Sequence, residues 1–300
     1  MDPRVAHRIA AIGDVVGPEQ AEASAAVYAG AHEEPPYEGI ELTRDERYGP
    51  DERHRLDVFA PRGARDLPVV VFVHGGGFVR GDKSTPGSPY HENVGLWACR
   101  AGLVGVTMTY RLAPEHRWPA GAEDVGAAVA WLRENLARFG GDPDRIVLMG
   151  SSAGACHLAC YAALPDLHPD GDIGVRGLVL LSGAYDLVAF EPSILHAYFG
   201  EASELEAASP LRGLVASRVP IMFAVAEHDP AISHRQAELL FEALLARDGR
   251  VPNLVFVPGH NHFTEVLHLN AIDDVLGRQL VAFVEQHAGP VAAGVASALL

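Results

Sequence analysis

From Glu41 onward the chain repeats one arrangement: a short, almost entirely apolar run, then a stretch with the apolar spacing of a helix. The apolar runs are "LPVVVFVH" from Leu67, "LVGVTMTYR" from Leu103, "RIVLMG" from Arg145, "VRGLVLLSG" from Val175, "VPIMFAVAE" from Val219 and "NLVFVPG" from Asn253, preceded by "IELTRDERY" and "RLDVFAP". A strand without polar alternation has to be covered on both faces. Helical patterns lie between the runs: "YHENVGLWACRAG", "AEDVGAAVAWLRENLARFGG", "SHRQAELLFEALLARDG" and "AIDDVLGRQLVAFVEQHA". Glycines closing several of them fit helix C-caps. The alternation therefore predicts an α/β fold, with helices flanking a mostly parallel central sheet.

Two regions stand outside that order. Residues 1–40 read as helix followed by the acidic, proline-bearing "AHEEPPYEG", and residues 185–218 interrupt the alternation ahead of the strand at Val219. Extra segments over one end of such a sheet commonly shape a binding pocket. The expectation is a small lid built from both, on one catalytic domain spanning 41–300, with "GPVAAGVASALL" as a closing tail.

Composition narrows the partners. With 39 acidic against 23 basic residues the formal charge is −16, a field that repels nucleic acid and anionic membrane surfaces. Three cysteines, Cys99, Cys156 and Cys160, do not form a disulfide framework. The N-terminal "MDPRVAHRIAAIGDVV" lacks the apolar core of a secretion signal, and no segment reaches the roughly 18 apolar residues of a membrane span. These features set the expectation of a cytoplasmic protein with no membrane partner.

The chemistry concentrates at strand ends. In "GSSAG", Gly150 and Gly154 flank Ser152 at two residues on either side, directly after "RIVLM" and before the helix-forming "ACHLACYAAL". A serine on a sharp strand-to-helix turn needs strained backbone, and glycines let strand and helix pass closely. Alone the pentapeptide is equally a glycine turn; the strand, turn and helix order makes Ser152 a nucleophile candidate. Earlier, Gly75 to Gly77 in "FVHGGGFVRGDKS" follow a buried strand and free the backbone to aim N–H groups at an oxyanion. Neither nucleotide motif fits: Asp82 stands where a phosphate loop needs lysine, and the third glycine of a dinucleotide fingerprint falls on Arg80.

"HGGGF" at His74 to Phe78, "YRLAPEHRWPA" at Tyr110 to Ala120 and "GSSAG", in this order, resemble the hormone-sensitive-lipase-like group of α/β hydrolases, the bacterial carboxylesterases. The resemblance covers roughly Glu41 to His287. It implies a serine esterase of the α/β-hydrolase fold with no cofactor; separately, a lid of modest length and the lack of a long apolar surface helix point to a small-molecule substrate, a short acyl ester. It implies Ser152 as nucleophile and the backbone N–H groups of Gly76, Gly77 and Ala153 as the oxyanion hole. Edge strands or a terminal helix could form a homodimer in relatives, but nothing in the chain itself shows one.

A serine hydroxyl needs a base, and the base needs an orienting carboxylate. In this fold they follow in the order serine, acid, histidine. "AVAEHDPAI" offers Glu227 and Asp229; Asp229, in a turn stiffened by Pro230 and matching the family's Asp-Pro pair, is preferred, with Glu227 as fallback. "VPGHNHFTEV" offers His260 and His262; His262 precedes an aromatic as in similar enzymes, leaving His260 a supporting role. His260 and His262 at i, i+2 could also hold a metal, but no nearby cysteine or further histidine completes a site, and Asp229 is better used as the orienting acid. His74 is expected to bond loop backbone, His157 and His228 to be incidental, Arg111 and Glu115 to fix loops as buried charge partners, and Trp118 to wall the pocket or pack. Formamide or amide cleavage on the same triad is an alternative. So is a non-catalytic small-molecule receptor, although a receptor that resembles the family lacks the histidine. Because free histidine titrates near pH 6.5, activity should fall on the acid side of neutrality; a pH–rate profile flat down to about pH 4 contradicts His262 as base.

Overall fold

The structure is a computed structural model that describes residues 1–88, 90–190 and 192–291. The tail beyond Val291 lies outside the described residues. Eight strands, β1 (Ile40–Arg47), β2 (Arg55–Pro61), β3 (Leu67–Val73), β4 (Val104–Met108), β5 (Gly141–Ser151), β6 (Gly177–Leu181), β7 (Ile221–His228) and β8 (Asn253–Asn261), form one sheet in the order β1-β2-β4-β3-β5-β6-β7-β8. Only the β1–β2 and β2–β4 pairings are antiparallel; from β4 to β8 every neighbour is parallel.

The unbroken apolar runs are explained by this burial. Along β3, Val69, Val71 and Val73 enter one core while Val70 and Phe72 enter another, so alternate residues feed opposite faces and every one is buried. Ile146 and Leu148 against Val147 and Met149 in β5, and Leu178 and Leu180 against Val179 and Leu181 in β6, repeat the division. Helices Ala120–Asn135 and Ala153–Ala163 cover one face; Glu92–Arg100 and Gly277–Ala288 cover the other. The last is shorter than its sequence pattern predicts, because residues 271–276 form turns in which the Asp274 side chain accepts from the Gly277 N–H at 2.6 Å.

The two irregular regions both pack on the sheet's C-terminal rim. Helices Pro3–Ile12 and Pro18–Tyr28 bury Ile9, Ser24 and Tyr28, and lie against β8 and the short helix Thr264–Leu267. The 185–218 segment contributes Pro192–Phe199, whose Tyr198 ring stacks on Phe78 at 4.9 Å and whose Tyr198 hydroxyl accepts from the Gly121 N–H at 2.8 Å.

The helix Ala153–Ala163 is pressed against the end of β3. A Cβ on Gly154 would stand 2.1 Å from the Val73 carbonyl oxygen and 2.7 Å from that of His74, and one on Gly150 would strike the Gly154 backbone at 2.6 Å. Both obstacles are backbone and have no side-chain rotamer with which to yield. Gly154→Ala is therefore expected to lower stability by about 1–3 kcal/mol in a chemical-denaturation measurement, the usual cost of overpacking; an unchanged midpoint contradicts the close approach.

Candidate active site

Ser152 sits between β5 and its following helix with φ 55° and ψ −116°, a conformation that L-residues rarely adopt. Surrounding contacts hold it there. Its N–H donates to the Leu181 carbonyl at 2.8 Å and its carbonyl accepts from Cys156 N–H at 3.1 Å, while Gly75 leaves room beside it, since a Cβ there would stand 3.3 Å from the Ser152 Cβ. The side chain is half-buried.

Directly opposite runs the glycine loop after β3. Gly76 (φ 125°) and Gly77 (φ 60°) take backbone conformations open to glycine, and at Gly76 a Cβ would meet the Arg80 carbonyl oxygen at 2.1 Å. His74 anchors the loop from beneath: its Nδ1 lies 2.6 Å from the Gly75 carbonyl oxygen, and its ring stacks on Tyr110, whose hydroxyl donates to the His74 carbonyl at 2.9 Å. Burial pushes the His74 imidazole well below its usual range, so it is neutral. Among the described residues, the backbone N–H groups of Gly76, Gly77 and Ala153 have no protein acceptor. That of Ala153 opens a helix, where the N–H groups and the dipole favour negative charge.

Asp229 follows β7 and His262 follows β8. The His262 Nδ1 lies 2.7 Å from Asp229 Oδ1, with the Asp229 side chain fully buried and that of His262 nearly so. A carboxylate only accepts, so Nδ1 carries the proton, and in the neutral ring Nε2 is left as the basic nitrogen. Burial opposes ionisation of Asp229. Hydrogen bonds from His262 at 2.7 Å, the Ser182 hydroxyl at 2.6 Å and the Ala226 N–H at 2.7 Å outweigh it, and hold the carboxyl below its usual range. Ser152 and this pair are joined through β6: Leu181 accepts from Ser152, and the next residue, Ser182, reaches Asp229. No hydrogen bond joins the Ser152 hydroxyl directly to His262 among the described residues.

The alternatives fall elsewhere. Glu227 is exposed and accepts from the Gly259 N–H at 2.7 Å. His260 is buried against the His268 ring at 4.0 Å with neither nitrogen bonded among the described residues, and burial drives its pKa down to about 2. His157, sandwiched among Phe78, Tyr110 and Tyr198, is likewise pushed down to about 3 by burial. Arg111 pairs with Glu123 at 2.9 Å and with buried Asp124 at 2.7 Å. Glu115 corrects the sequence reading: it is exposed and forms no ion pair among the described residues, because the loop turns it to solvent and the acidic partners come from the following helix. Two buried polar residues were missed altogether: Ser182, at the end of the strand between the serine and the acid, and Glu265, three residues past His262. Neither belongs to a motif. Their only signal was position at a strand end and on the helical turn behind the histidine.

Comparison with known proteins places the chain in a family. The BD-FAE family profile matches residues 56–244. Esterase LipQ of Mycobacterium tuberculosis is 30% identical over 267 residues, 78% of this chain and 62% of that protein, and Esterase LipC of the same organism is 29% identical over 73% of this chain and 59% of that protein. The chain thus spans about three-fifths of the length of these curated relatives. A hyperthermophilic esterase from the archaeon Pyrobaculum calidifontis superposes with TM-score 0.68 at 26% identity, covering 99% of this chain and 97% of that one. A thermostable esterase from Pseudomonas putida shares the fold at TM-score 0.64 and 24% identity, over 92% of this chain and 89% of that one. With a profile match over more than half its length and a sheet and helix arrangement of the same kind, the chain belongs to the BD-FAE family, within the hormone-sensitive-lipase-like group of the α/β hydrolases.

Proposed function

We propose that the protein is a serine carboxylesterase that cleaves small esters through an acyl-enzyme on Ser152. The observation that carries this reading is the buried Asp229–His262 contact of 2.7 Å at the same sheet rim as the strained Ser152 turn. His262 Nε2 takes the Ser152 proton as the hydroxyl oxygen attacks the ester carbonyl; catalytic hydrogen bonds of this type are often long without substrate and shorten in the Michaelis complex. The N–H groups of Gly76, Gly77 and Ala153 receive the oxyanion, and His262 returns the proton to the departing alcohol. Water, deprotonated by the same imidazole, then releases the acid. Asp229 fixes the tautomer and balances the imidazolium.

The retained histidine–carboxylate pair favours catalysis over a receptor role, which needs no such pair. The N-terminal helices and the 185–218 segment together act as the lid over the rim. Their short helices support small acyl groups over emulsified triglyceride. The free cysteines support a reducing, cytoplasmic setting. The β8 edge, with Leu254 and Phe256 exposed, supports a homodimer.

With 4-nitrophenyl esters, kcat/KM is expected to peak at about two to eight acyl carbons, and a maximum at palmitate overturns the small-substrate reading. Ser152→Ala is expected to abolish fluorophosphonate labelling and to lower kcat by about 10⁴-fold or more. Asp229→Asn, which disturbs the tautomer while preserving shape, is expected to cost about 10⁴-fold in kcat. A wild type that hydrolyses aryl formamides but no ester points to amide chemistry, and a wild type that takes no label points to a receptor.

A further inference from the structure

Ser182 Oγ stands 2.6 Å from Asp229 Oδ2 and 2.7 Å from Glu265 Oε2. Oxygen pairs at these distances share a proton, so the two contacts require two protons. Ser182 supplies one. Asp229 does not supply the other, because His262 donates to its Oδ1 and the Ala226 N–H to its Oδ2, whereas Glu265 meets no donor besides Ser182 among the described residues. The remaining proton must sit on Glu265. We propose that Glu265 is a positioning residue for the Asp229–His262 pair: its carboxyl group stays protonated at neutral pH and donates to Ser182, which commits the single Ser182 proton to Asp229.

The surroundings agree. Glu265 is fully buried, no Lys or Arg pairs with it among the described residues, and its Oε1 has no hydrogen-bond partner. An ionised carboxylate in that setting is strongly disfavoured. Burial and the negative charge of neighbouring Asp229 both raise its pKa well above the usual range. The titratable groups around it are Asp229 after β7, Tyr185 after β6, and His262 and His268 on its own segment. None of these is a fixed positive charge, and the imidazolium that forms at His262 is matched by Asp229. The proposal rests on the triad reading above, since Glu265 acts only through Asp229.

Three measurements test it. In wild type labelled with ¹³C-glutamate, infrared spectra at pH 8 are expected to contain the carbonyl stretch of a protonated glutamic acid, removed by Glu265→Gln; absence of that band in wild type overturns the proposal without any variant having to fold. The melting temperature of Glu265→Gln relative to wild type is expected to rise between about pH 4 and pH 8, because only wild type has an unfolded-state glutamate that releases a proton above about pH 4.3 while the folded state retains it. A difference independent of pH overturns the proposal. Glu265→Leu is expected to lower kcat about tenfold with little change in KM, and Glu265→Gln, which keeps a donor, to restore kcat with an unmoved acid limb of the pH profile. An acid limb displaced to lower pH in Glu265→Gln means that a negative charge was removed, which overturns neutrality of Glu265. Full esterase activity in Ser152→Ala would sink the triad reading instead, and leave the infrared and melting results standing.

Discussion

The rim of the sheet is organised around one buried negative charge. A carboxylate taken out of water is costly unless several donors replace its hydration. Asp229 collects three, from three parts of the fold: the Ala226 N–H at the end of β7, the Ser182 hydroxyl at the end of β6, and His262 Nδ1 beyond β8. Each donor is in place only if its strand is in register. The parallel pairings Leu181 with Ala224 and His228 with Asn261 are what bring them to one point. The histidine tautomer follows from the same charge, and so does the problem posed by Glu265, whose carboxyl lies one hydroxyl away and cannot cheaply carry a second negative charge.

On the other side of the rim the controlling fact is steric. Gly154 permits the helix behind Ser152 to approach the carbonyls of Val73 and His74, and Gly75 permits the loop after β3 to lie against Ser152. Backbone donors therefore gather around the serine without side chains between them. The strained positive-φ Ser152 conformation is the local cost of this arrangement, offset by the hydrogen bond to Leu181 and the packing of a helix buried from Ala153 to Ala162.

The segments outside the alternating core are fastened to the same region. Ser24 and Asn261 are hydrogen-bonded at 3.1 Å, and Asn261 in turn caps Phe263 and Thr264, so the N-terminal helices brace the residues on both sides of His262. Tyr28 reaches Asp273 at 2.9 Å, and His32 meets the Leu267 carbonyl oxygen at 2.7 Å. A surface cavity of about 580 Å³ lies at the opposite end of the sheet, beside Glu41, Arg65 and Phe139, away from this chemistry.

Much of this was readable in the sequence, and for identifiable reasons. A run such as "LPVVVFV" states its own burial, because only coverage on both faces accounts for the lack of polar alternation. The glycines of "HGGGF" and "GSSAG" state a close backbone approach, since the requirement for no Cβ is local. Asp229 and His262 could be narrowed to two candidates each, as the order of elements fixes which strand end offers which residue. Within each pair, two residues apart, spacing alone does not choose; the Pro230 turn and the aromatic after His262 favour Asp229 and His262 by resemblance, while the bend after each strand is what turns one side chain to the rim and buries or exposes the other. Glu115 was misread for the same reason. Ser182 and Glu265 were invisible as polar partners because their significance is a meeting of oxygens 83 positions apart in the chain. The chain fixed the sheet, the turns and the kinds of residue at the strand ends through local periodicity and backbone sterics. Tertiary packing alone decided which of those groups share a proton, because hydrogen bonds depend on tenths of an ångström that register and burial set together.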